Sequence, residues 1–131
     1  MPSRLLVLFA AALLAASFSL PLVYAKDTLP KAAQSVQTLS WDGQNHCTIS
    51  SINDNATYHE GVTSSIVGLW LTAAHCVAQE QAFQINGHAA FIIKADDLLD
   101  VAVMATKAWS LPPLQFSDDA PEFGDFVEMY G

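Results

Sequence analysis

Hydrophobic positions along this chain fall into two regimes. Residues 5–14 form an almost unbroken apolar run, extended by Ala15, Ala16 and Phe18 and broken at Pro21. From Trp41 onward the pattern changes to short apolar runs separated by turn-forming residues. Runs of that length, rich in β-branched and aromatic residues, predict strands. Residues 47–52 predict a first strand and residues 63–71 a second, more apolar one, interrupted by Gly68. Residues 53–61, with Asp54, Asn55 and His59, predict an exposed loop. Asn86-Gly87 sits between two β-prone runs, 82–85 and 88–94. It predicts a two-residue hairpin, because both turn positions require positive φ. Residues 101–105 predict a buried strand, and residues 126–130 the start of another. Pro112, Pro113, Asp118, Asp119 and Pro121 predict a long loop between them. The helical signal is confined to a turn or two around 73–79. Strands at this spacing imply an all-β, antiparallel barrel or sandwich. There is no internal repeat, Gly-rich phosphate loop or heptad pattern.

The first regime reads as a targeting segment. Residues 1–4 end in a positive charge at Arg4, the apolar run follows, and Val23-Tyr24-Ala25 places small residues where a signal peptidase cuts. Residues 1–25 are therefore expected to be a secretory signal peptide. A membrane anchor is the competing reading, since the charge-free stretch is just long enough to span a bilayer. Pro21 and the small-residue exit favour cleavage. Residues 26–40 are polar and aperiodic and read as a linker or pro-segment. The expected location is secreted or periplasmic, with no stable membrane association after cleavage.

Composition narrows the function. The chain has 131 residues, of which 52% are hydrophobic and 14% charged, which excludes a disordered solvating chain. Five Lys and Arg against 13 Asp and Glu give a net charge of -8, which argues against a nucleic-acid partner. Export would place Cys47 and Cys76 in an oxidising compartment, so a bridge is expected over two free thiols. It would close a loop of about 30 residues and stabilise by roughly 3 to 4 kcal/mol on the chain-entropy model.

Leu71-Thr72-Ala73-Ala74-His75-Cys76, directly after an apolar strand, carries the candidate chemistry. It resembles the histidine motif of the trypsin-like serine proteases. Asp100-Val101-Ala102-Val103 resembles that family's aspartate motif, an acid entering a small-apolar strand. The hairpin between them, and Gly124-Asp125-Phe126-Val127 with Gly131, are also similar to the family's first barrel. The resemblance covers residues 41–131 and implies an antiparallel six-stranded β-barrel, the first of that fold's two. It implies His75 as general base and then acid, and Asp100 as the carboxylate that orients it. A neutral imidazole can take a serine proton and return it to the leaving amine. A carboxylate accepting its other N–H holds the tautomer and stabilises the imidazolium. The implied substrate is a protein or peptide, and no cofactor is implied.

Other residues compete for these roles. Asp96 and Asp97 read as strand-end surface charges, because only Asp100 is followed by the apolar Val-Ala-Val strand. His46, His59 and His88 could join His75 as zinc ligands, but they lack close metal-ligand spacing, so no metal is expected. Asn55-Ala56-Thr57 is a formal glycosylation sequon in the expected loop.

The nucleophile is missing from the pattern. In the chymotrypsin order the serine follows the aspartate. Only Ser110 and Ser117 lie beyond Asp100, and neither has a Gly-Asp-Ser-Gly-Gly-like context. Ser64 and Ser65 precede the histidine and read as strand residues. Two barrels need about 200 residues. The expectation is therefore a fragment of a serine endopeptidase, inactive alone. The alternative is an inactive secreted pseudo-protease or protein-binding module. No Arg or Lys precedes an Ile-Val-Gly-Gly-like start, so tryptic zymogen activation is not indicated.

Overall fold

The computed structural model describes residues 31–131. The expected signal peptide and the first residues of the expected linker lie outside the described residues. The described part is all-β apart from short 3-10 turns at Ala33–Ser35 and Ala74–Val77. Six strands follow in chain order: β1 Val36–Trp41, β2 Gln44–Glu60, β3 Thr63–Thr72, β4 Gln84–Ile85, β5 His88–Asp96 and β6 Val101–Lys107. All pairings are antiparallel, in the order β1-β2-β3-β6-β5-β4. The sheet closes in a ring where β4 pairs back with β1, Leu39 opposite Ile85 and Ser40 opposite Gln84. Closure leaves none of the six strands as a free edge along its whole length.

The ring forms because alternate side chains can all point inward. Leu39, Ile49, Trp70, Ile85, Ala102 and Met104 are fully buried and, with Ala74, Val77 and Phe83, form one core. Trp70 on β3 stands opposite Met104 on β6, so the largest core side chain packs beside a flexible one that fills around it.

Three sequence expectations are corrected. Residues 36–40, assigned to the linker, form most of β1. Only Leu39 of that strand is fully buried, so its apolar signal is weak; the strand is held by pairing with β2 and β4. Residues 53–60, expected as a loop, continue β2. The Asn53 side-chain oxygen accepts the Asn55 N–H at 2.8 Å, and the pairing to β3 slips between Ser51 and Asn53 and again between Asn53 and Ala56. Turn-forming residues here make bulges that bend one long strand, while the reversal waits for Gly61 at φ 61. The bend lets β2 pair with β1 along its first half and with β3 along its second. Residues 126–130, expected as a strand, have no regular structure, because no strand among the described residues pairs with them. The hairpin expectation holds: Asn86 and Gly87 have φ 48 and 78 and join β4 to β5.

After β6 the chain crosses one end of the ring. Thr106 Oγ1 donates to the Trp109 carbonyl at 2.6 Å, and Ser51 Oγ donates to the Leu111 carbonyl at 2.9 Å. The Leu114 N–H donates to the Ser51 carbonyl at 2.8 Å, and the Ser35 hydroxyl donates to the Pro112 carbonyl. This strap passes so close to β3 that a Cβ on Gly68 would lie 2.5 Å from Ser110 Cβ and 2.9 Å from the Trp109 carbonyl oxygen. Gly68→Ala is therefore expected to destabilise by about 1 to 3 kcal/mol. Adding Ser110→Gly should recover part of that loss, because the backbone contact remains. Chemical denaturation of the single and double variants checks both statements; full recovery would show that the backbone contact costs nothing.

Candidate active site

His75 follows from how β3 ends. Thr72 Oγ1 donates to the Thr48 carbonyl at 2.9 Å, tying the end of β3 to β2. Ala73 is extended and the chain then turns through Ala74–Val77. Ala74 and Val77 are buried, so the two residues between them, His75 and Cys76, are carried to the outside of the turn. Cys76 forms the expected disulfide with Cys47 of β2, with Cα atoms 6.3 Å apart.

Asp100 follows from how β6 begins. The pairing of β5 with β6 brings Asp96 opposite Val101, and Asp96 Oδ1 accepts the Leu99 N–H at 3.0 Å across the connecting turn. Asp96 is thus a turn-stabilising residue, and Asp97 is exposed, as expected of both. Asp100 closes the turn with φ 52, a left-handed conformation that Asp tolerates better than most side chains. Ala102 of β6 pairs with Thr72 of β3, so the ends of two strands distant in sequence deliver Asp100 and His75 to one place.

The two side chains meet closely. His75 Nδ1–H donates to Asp100 Oδ2 at 2.7 Å, and the His75 backbone N–H donates to Asp100 Oδ1 at 2.9 Å. Both carboxylate oxygens are thus used on one residue, which fixes the ring relative to its own backbone. With Asp100 ionised, Nδ1 must carry the proton, and Nε2 is left as a proton acceptor. No residue among those described bonds Nε2. The side chains are 73% and 49% exposed.

The backbone N–H of His75, then its ring, hold the Asp100 carboxyl below its ordinary value of 3.8. A lowered native pKa means that the unfolded chain binds the proton more readily. Asp100 therefore adds stability that is complete above about pH 4 and is lost as acid protonates it in the native state. Asp100→Asn is expected to lower Tm at neutral pH, with the gap to the parent narrowing as the pH falls below about 4. Thermal scans across that range test this; a gap of constant size would show that the carboxylate charge is not what matters.

An open cleft of about 370 Å³ adjoins His75, lined also by Trp41, His46, the Cys47–Cys76 bridge and Gln79. His46 stacks on Trp41 with ring centroids 3.8 Å apart, and its Nε2–H reaches the Trp41 carbonyl at 3.3 Å. The sequence offers His46 only as a metal ligand and gives no signal for Trp41. The available signal was the position of His46 next to Cys47, which is bridged to the residue after His75. The remaining histidines go elsewhere. His59 accepts from Ser64 Oγ at 2.8 Å on the β2–β3 hairpin, and His88 stacks on Trp109 at 3.9 Å. Among the described residues no three His, Cys, Asp or Glu side chains gather as a metal site. Ser110 Oγ bonds the Leu111 carbonyl and lies 3.4 Å from Ser51 Oγ, while Ser117 bonds within its own loop to Asp119. Neither contacts His75.

No protein-family model matches the chain, and no curated protein matches it.

Proposed function

We propose that this chain provides the histidine–aspartate half of a Ser-His-Asp catalytic site, as the first barrel of an exported, trypsin-like serine endopeptidase. The observation that carries the reading is the 2.7 Å bond from His75 Nδ1–H to the Asp100 carboxylate, with Nε2 left open beside a cleft. In the reaction, a serine hydroxyl from outside the described residues gives its proton to Nε2 as its oxygen attacks the substrate carbonyl. His75 returns that proton to the leaving amine, then activates water against the acyl ester. Asp100 stays ionised throughout and stabilises the imidazolium. Its lowered pKa suits that role, because it remains charged across the neutral range. The substrate is a protein or peptide, and the chemistry needs no cofactor.

The exposure of the pair favours a second reading, an inactive binding module whose cleft engages a protein segment. A working dyad is normally shielded from water, whereas His75 is 73% exposed here. The nucleotide sequence downstream of codon 131 separates the two readings. A continuing frame with a Gly-x-Ser-Gly motif supports the protease, and a stop codon there supports the binding module.

A further inference from the structure

The turn that carries His75 is fastened in two different ways. Its inner residues, Ala74 and Val77, are buried in the core. Its outer residues, His75 and Cys76, are held by the Asp100 carboxylate and by the disulfide to Cys47 on β2. Within the turn the backbone holds itself only by short-range 3-10 bonds, entered through Cys76 N–H to the Ala73 carbonyl at 3.1 Å. Both cysteines are half-buried, and both line the same open cleft as His75. The bridge therefore borders the space beside the imidazole.

We propose that the Cys47–Cys76 bridge is a redox-sensitive tie on the candidate site, whose reduction releases the outer half of the turn and breaks the His75–Asp100 hydrogen bond. The exchange is an ordinary thiol–disulfide reaction. A dithiol gives two electrons and two protons, the S–S bond breaks, Cys47 and Cys76 become thiols, and the dithiol leaves as its own disulfide. The opening is local. β2 keeps its pairing to β1 on both sides of the bridge, through Thr38 opposite Thr48 and Ser40 opposite Asn45. Leu39, Ile49, Trp70 and Ile85 fill the ring, and the two cysteines pack only against its outside, half-buried. What reduction removes is the covalent restraint on the residue directly after His75. Parts of a fold that hang on few contacts open well below the global unfolding free energy.

This inference rests on reading His75 and Asp100 as the site, but its test reads their hydrogen bond and not turnover. The His75 Nδ1–H proton is followed by low-temperature NMR in the oxidised chain, after dithiothreitol, and after reoxidation. Thiol titration counts the free sulfurs, and far-UV circular dichroism follows the sheet. The expected result is a low-field resonance that disappears on reduction and returns on reoxidation, with the dichroism spectrum unchanged. Carbethoxylation of His75 should become faster over the same step. The double variant Cys47→Ser with Cys76→Ser should match the reduced chain without reductant. A resonance that persists with both thiols free would overturn the proposal, and so would loss of the whole sheet on reduction. A resonance already absent in the oxidised chain would overturn the site itself, and this inference with it.

Discussion

On the proposed reading, peptide hydrolysis by a form that includes a nucleophilic serine is expected to disappear in His75→Ala, and residues 26–131 alone are expected to show none. Without a serine on Nε2, a correctly oriented imidazole has no acyl ester to form. Without preorganised donors, the developing oxyanion is not stabilised. Asp100→Asn should be nearly as damaging as loss of the base, lowering kcat by about four orders of magnitude, because the amide permits the wrong tautomer. The structure makes that loss specific. Asp100 binds the His75 N–H and ring together, so an amide in its place would have to present an oxygen to one donor and an NH2 group to the other. The measurement is turnover of a broad peptide mixture by parent and variants. Activity in residues 26–131 that vanishes in His75→Ala would overturn the assignment of the nucleophile. It would point to Ser110 or Ser117, or to two copies completing one site.

Trp70→Ala should cost the fold about 3 to 5 kcal/mol, the usual range for emptying a large aromatic site. Trp70 is fully buried, stacks on Trp109 at 5.5 Å and donates its Nε1–H to Thr106 Oγ1 at 2.9 Å. Thr106 in turn donates to the Trp109 carbonyl, so the same ring anchors both β6 and the strap across the end of the sheet. Truncation removes the packing and leaves the Thr106 oxygen without its donor. Small domains hold only about 5 to 15 kcal/mol in all, so Trp70→Ala is expected to lose tens of degrees in Tm or to fail to fold. Trp70→Phe keeps most of the packing and should lose only about 1 to 3 kcal/mol with the hydrogen bond. Thr106→Val should cost a similar amount by leaving the Trp70 N–H unpaired. Thermal melts followed by near-UV circular dichroism test the series. A Trp70→Ala melt within a few degrees of the parent would show that the core is not built around this ring.

Local chemistry was legible wherever it sufficed by itself. Asn86-Gly87 dictates its hairpin because few other pairs accept positive φ at both positions. His75 and Asp100 were each identifiable, one from a hexapeptide at the end of an apolar strand and one from an acid entering a small-apolar strand. The candidate bridge followed from two cysteines in a chain expected to be exported. Where local preference and tertiary pairing compete, the reading failed. Asn53-Asp54-Asn55 favours a turn, yet β3 provides a partner through residue 60 and the turn signal becomes a bulge. Phe126 and Val127 favour a strand, yet no described strand pairs with them and both stay exposed. β1 was missed for the opposite reason, since a strand with one fully buried side chain carries almost no periodic signal.

Sequence by itself therefore determined the all-β class, the hairpin and which residues were candidates for the site. Those depend on residue type and near neighbours. Only the tertiary structure decided that His75 and Asp100 touch, that Trp41 and His46 line one cleft with His75, and that Ser110 and Ser117 bond elsewhere. The physical reason is register. Thr72 stands opposite Ala102 because two faces must be buried together in a closing ring. A slip of one residue would turn one strand's inner face outward and separate the pair.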